Sequence, residues 1–124
     1  MRYDKFTTKL QEAFAEAQSL ALGQDHQQIE PQHLLLALLN QEGGGTASLL
    51  AQAGGNPNAL KQALTQALGR LPKGEGTPGE VHVSRDLGNL LNVADKDAQK
   101  RGDQYIASEL FLLACAGDKG DVGR

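Results

Sequence analysis

The side chains that most often do chemistry are few and scattered in this chain. The histidines, His26, His33 and His82, do not stand at the short spacings at which metal sites collect their ligands. His33 opens an apolar run and reads as a core or capping histidine. Cys115 lies within Leu-Phe-Leu-Leu-Ala-Cys-Ala, the surroundings of a small buried hydrophobe rather than of an activated thiolate. Gly69 and Gly74 are spaced as in a phosphate-binding loop, but Glu75 follows where that loop needs a lysine. The remaining candidates are the carboxylates Asp95, Asp97, Asp103 and Glu109, whose pairing a linear sequence does not establish. The segment is therefore read as non-enzymatic, with no metal and no cofactor of its own.

The elements that must position these residues repeat. An offset of 77 positions carries Leu10, Ala17, Ala21 and Ile29 onto Leu87, Ala94, Ala98 and Ile106, and Leu35, Leu36 and Ala37 onto Leu112, Leu113 and Ala114. Thr7 falls on Ser84, Phe14 on Leu91 and Leu34 on Phe111. Size and polarity thus persist between the identities. Such periodicity marks a helical unit that cannot bury its apolar face alone and stacks on its copy. The fold class expected is all-α, two copies of a helical repeat packed as a pseudo-twofold orthogonal bundle. One domain spans 1–124: a first repeat at about 6–71, a connecting loop at 72–83, and a second repeat at about 84–124. Arg124 corresponds to Ala47, so the second copy is truncated and the chain reads as the front of a longer protein. Its continuation is expected to cover the Leu112 side, and Gly117–Arg124 is expected to be ragged.

Local signals fill in the unit. Leu10, Ala13, Phe14, Ala17, Leu20 and Ala21 lie at helical spacing, with Thr7 or Thr8 as N-cap and Gly23 as the close. Pro31 opens a second helix that is apolar nearly all round, so it must be central. Thr46–Ala53 gives a short third helix, and Asn56-Pro57 starts a fourth. Val81 and Val83 alternate with polar residues but are too few to suggest a sheet. A second helical pair runs from Ser84 to Lys100 and from Ser108 onward. On the first of these, Leu87, Leu91, Ala94 and Ala98 form a central stripe, with Leu90, Val93 and Asp97 on its shoulder.

Bulk properties narrow the function. In 124 residues, Lys+Arg 12 against Asp+Glu 15 gives a net charge of −3, and no basic cluster is interleaved with aromatics, so no nucleic-acid partner is expected. The longest apolar run, Leu110 to Ala116, is too short to span a bilayer, so no membrane partner is expected. A single cysteine and a charged first stretch suit a reducing, cytoplasmic setting.

One resemblance is specific. Met1-Arg2-Tyr3-Asp4-Lys5-Phe6-Thr7-Thr8-Lys9, Ala17-Gln18-Ser19-Leu20-Ala21, Ile29-Glu30-Pro31-Gln32-His33-Leu34 and Ala37-Leu38-Leu39-Asn40-Gln41 carry it. Gln99-Lys100-Arg101-Gly102-Asp103 and Ser108-Glu109-Leu110-Phe111 extend it to the second copy. Together they resemble the N-terminal Clp repeat domain of the ClpB disaggregases, AAA+ chaperones of the stress response, over the whole chain.

The resemblance implies a parent chain with two ATPase modules using ATP and Mg, a coiled-coil insertion and a homohexameric assembly that works with the DnaK chaperone system. This domain would capture unfolded or aggregated proteins. The alternative is an adaptor-docking domain like those of the protease-linked ClpA and ClpC. The implied substrate groove involves Thr7, Asp103 and Glu109 with Leu91, Val93 and Leu110, and Asp97 stands where the family commonly has Leu. Periodicity alone places Leu91 and Leu110 in the core. Thr7 equally reads as an N-cap, Asp97 as the partner of Arg101, Asp103 as a turn residue and Glu109 as a complement to its helix dipole. Acting together, Asp97, Asp103 and Glu109 would favour segments rich in Lys or Arg.

Overall fold

The computed structural model describes residues 3–73 and 81–117. After a short 3-10 turn at Tyr3–Lys5, the order is α1 (Thr8–Gly23), β1 (Gln28–Ile29), α2 (Pro31–Asn40), α3 (Thr46–Gln52), α4 (Pro57–Gly69), β2 (His82–Val83), α5 (Arg85–Lys100) and α6 (Ser108–Gly117). The expected raggedness of the chain end falls mostly on residues outside the described range, as does most of the connecting loop.

Capping fixes where the helices begin. The Thr7 side chain accepts the Leu10 N–H at 3.3 Å; 77 positions on, Ser84 accepts the Leu87 N–H at 3.0 Å. Asn56 accepts from Ala59 at 3.1 Å, with Pro57 opening α4. Each cap satisfies one of the backbone donors a helix start leaves over.

The buried faces follow from residue size. Leu10, Ala13, Ala17 and Ala21 on α1, and Leu87, Leu91, Ala94 and Ala98 on α5, are buried. Alanines at these positions let α2 pack closely on α1, and α6 on α5. Helix α2, with His33 and Leu34 through Leu39 all buried, is the hub and touches α1, α3, α4, α5 and α6. A ring cluster of Tyr3, Phe6 and Phe14, with centroids 5.3 to 5.9 Å apart, seals the start of α1.

Short extended segments join the copies, contrary to the expectation that no strand would form. β1 pairs with β2 in parallel, Ile29 opposite Val83, and Phe6 bridges Ile106 in parallel. The two pairings are related by the repeat offset. Thr7 N–H donates to Ile106 O and Ser84 N–H to Ile29 O, each at 3.0 Å. The segment entering each repeat therefore pairs with the segment preceding the second helix of the other. An ion pair from Lys5 to Asp95 at 2.6 Å reinforces the exchange and holds the Asp95 carboxyl below its ordinary range.

The close of α1 departs from the sequence reading. Gly23 is the last helical residue, and the left-handed position is Asp25 at φ 59°. Its counterpart at the end of α5 is Gly102 at φ 76°. The following N–H groups, of His26 and Asp103, each reach back to Ala21 and Ala98 at 2.9 Å, the Schellman pattern that favours glycine at the left-handed position.

A buried histidine pair follows. His33 Nδ1 accepts the Glu30 N–H at 2.8 Å, which leaves the His33 proton on Nε2, 2.9 Å from His26 Nδ1. His33 is thus held as a neutral ring and is the capping histidine expected. Burial first, and then His26, lower the His33 pKa to about 4. Protonating Nδ1 would also set it against the Glu30 N–H.

Two stability tests follow from these features. Asp25→Gly should raise stability by about 0.5–1 kcal/mol and Gly102→Ala lower it by about 1 kcal/mol, read from urea midpoints. A Cβ at Gly102 meets no atom within 4 Å, so its cost is conformational alone. Because the folded pKa of His33 lies below its unfolded value of 6.5, its contribution is fully present above pH 6.5 and is lost as pH falls towards 4. The loss is at most about 3 kcal/mol. A pH series of unfolding curves should show this slope and a His33→Leu variant should not.

Candidate functional site

A shallow groove of about 320 Å³ runs between α5 and α6. One face of α5 lines it with Val93, Lys96, Asp97 and Lys100, at the spacing of a single helical stripe. Helix α6 contributes Leu110, Leu113 and Ala114. Leu110 is 2% exposed and forms the floor, whereas Val93 at 52% and Leu113 at 51% stand open to solvent.

Of the residues proposed from sequence, Val93, Asp97 and Leu110 line this groove. Leu91, at 0% exposure, is a core residue. It lies on the α5 stripe turned inward and offers no surface to a ligand, so its assignment to the groove is corrected. Thr7 caps α1 and does not line the groove. Asp103 and Glu109 are exposed at the α5–α6 junction, outside the lining.

Those carboxylates share one cation. Arg101 Nε donates to Asp97 Oδ1 at 3.1 Å. The Arg101 pKa is raised by that hydrogen bond first, by the Asp97 charge next, and then by the charges of Asp103 and Glu109. Asp97 is thus the carboxylate paired with Arg101, while Asp103 and Glu109 act on that cation through their charge alone. The groove wall itself presents two exposed lysines and an already paired aspartate. It lacks the acidic character expected from Asp97, Asp103 and Glu109.

Sequence reasoning missed Lys96, Lys100 and Leu113. The lysines have a signal, since 93, 96, 97 and 100 form one stripe. Leu113 does not, because α6 is apolar nearly all round. Its counterpart Leu36 is 7% exposed, in a repeat where α3 and α4 also pack on α2; among the described residues no helix of the second repeat follows α6. Among the described residues Leu113, rather than the half-buried Leu112, is the more exposed. A second groove of about 340 Å³ lies between α1 and α2 and shares with this one Glu16 and Ala37, the counterparts of Val93 and Ala114, its other lining residues falling at different positions of the repeat.

Among the described residues no cluster of three or more metal-ligating side chains occurs. No described helix is long and apolar enough to cross a membrane.

Residues 5–124 match the Clp repeat (R) N-terminal domain. The chain is 51% identical to the chaperone protein ClpB of Pseudomonas putida over 124 residues, 100% of this chain and 14% of that protein. It is therefore about one-seventh the length of that relative. The N-terminal domain of the ClpV1 ATPase from the E. coli EAEC Sci1 T6SS superposes with a TM-score of 0.85 at 26% identity, covering 94% of this chain and 70% of that one. The Hsp104 N-terminal domain from Candida albicans does so with a TM-score of 0.80 at 26% identity, covering 93% and 75%.

Core and groove separate by mutation. Leu91→Ala should destabilise the domain by about 3 kcal/mol through the cavity it leaves, while Val93→Ser should change stability by less than about 0.5 kcal/mol. Equal shifts in urea unfolding would remove the distinction.

Proposed function

Since the chain belongs to the family of Clp repeat N-terminal domains, we propose that it is the substrate-capture module of a ClpB-type chaperone, holding unfolded or aggregated polypeptide in the α5–α6 groove. The observation that carries this reading is the open apolar side chain of Val93 on α5, beside the apolar floor of Leu110 and Ala114. Val93 occupies the position that the first repeat gives to Glu16. An exposed apolar strip on a surface helix holds non-native chains without reading their sequence.

On this reading the domain binds and the chemistry belongs to the parent chain. The parent carries ATPase modules that use ATP and Mg, a coiled-coil insertion and a homohexameric ring, and works in the cytoplasm with the DnaK system on stress-denatured proteins. The domain itself is non-catalytic. Asp97, Asp103 and Glu109 form the polar border of the groove. Thr7 contributes by fixing the start of α1, and with it the extended residues that place α6. The 51% identity to a ClpB chaperone over the full chain supports this assignment.

The test is a titration of the isotope-labelled 124-residue chain with denatured casein. Amides of α5 and α6 that border the groove should shift, and Val93→Ser and Leu113→Ser should each weaken binding by about three- to tenfold without lowering the thermal midpoint. Shifts confined to other surfaces would defeat the assignment. Tight binding of one folded adaptor, with denatured casein ignored, would establish a docking domain instead.

A further inference from the structure

The charges left free on the groove wall determine which polypeptide it prefers, an inference that rests on the capture reading. Asp97 is already engaged by Arg101 at 3.1 Å. Lys96 and Lys100 are exposed on the same stripe, and among the described residues, where the ion pairs are Lys5–Asp95 and Arg101–Asp97, neither lysine has an acidic partner. Helix α6 adds only apolar side chains to the lining. The groove therefore joins an apolar floor to two uncompensated positive charges one helical turn apart.

We propose that the α5–α6 groove selects apolar segments bordered by Asp or Glu, with Lys96 and Lys100 as its specificity-determining residues. An extended segment that seats an apolar side chain between Val93, Leu110 and Leu113 brings its neighbouring residues over α5. A carboxylate there meets Lys96 or Lys100, while a lysine or arginine meets a like charge. Asp103 and Glu109 lie outside the lining.

The first repeat supplies the contrast. Lys96 and Lys100 correspond to Ser19 and Gly23. The α1–α2 groove is instead lined by Glu12, Glu16 and Glu42 with Lys9, and its apolar part is reduced to Ala13 and Ala37. The groove on the first repeat thus lies mostly at other positions, carries more acidic than basic side chains and has no large apolar side chain in its lining.

The experiment uses the 124-residue chain and three fluorescent peptides that share one unstructured apolar stretch flanked by Glu, Gln or Lys. Exposed ion pairs are weak, so the Glu-flanked peptide should bind about fivefold tighter than the Gln-flanked one at low salt. The difference should vanish near about 0.5 M salt, where screening lengths fall to a few ångströms. The double variant Lys96→Gln, Lys100→Gln should lose the Glu-over-Gln difference, and Lys96→Glu with Lys100→Glu should reverse the order. A Lys-flanked peptide that binds wild type best, or a Glu preference that survives the double Gln variant, would overturn the proposal. The Gln-flanked peptide separates the two readings. If it binds and Val93→Ser weakens it, capture stands even where the charge order fails. If it does not bind, or Val93→Ser leaves it unchanged, the capture reading fails and this inference fails with it.

Discussion

The reciprocal pairing of short extended segments is the constraint on which the rest of the molecule depends. Phe6 lies against Ile106, and Ile29 against Val83, so neither repeat closes on itself. Each helical pair enters and turns against backbone supplied by the other. The hydrogen bonds are few, but they satisfy groups flanking buried side chains, where an unpaired N–H or C=O is costly. They also set the position of each helix start, because Thr7 and Ser84 both donate an N–H to the exchange and cap the helix that follows.

From that frame the groove follows. With α5 held by its cap and by the Lys5–Asp95 pair, and α6 entering from Ile106, the two helices meet along alanines and leave a trough where Val93 faces Leu113. The copies then diverge at equivalent positions. Where the first repeat places the buried pair of His26 and His33, the second has Asp103 and Leu110, a surface carboxylate and an apolar floor. One copy has closed its helix junction with two rings packed edge to face; the other has a surface there.

Much of the scaffold was legible in the sequence because it is local. Pro31, Asn56-Pro57, Thr7 and Ser84 mark helix starts through their own backbone chemistry, and the apolar stripes of α1 and α5 follow helical periodicity. The strand pairings escaped because each is two residues long or a single bridge, and takes its stability from a partner more than fifty positions away in the sequence. Asp25 at the left-handed position escaped because Gly23, two residues earlier, is the stronger local signal.

The candidate site was legible in part. Sequence and resemblance together reached Val93, Asp97 and Leu110, since a helical stripe and a motif both point at them. Periodicity put Leu91 on the inward stripe and Val93 on its shoulder, as the burial shows; the resemblance alone set Leu91 in the groove.

By itself, then, the sequence determined the repeat, the helices and the near absence of reactive chemistry, all properties of spacing and residue type. Only the tertiary structure decided that Val93 and Leu110 line one groove, and that among the described residues Lys96 and Lys100 stand without an acidic partner beside its apolar floor. Exposure and charge compensation belong to pairs of elements, and no single helix contains the information that fixes them.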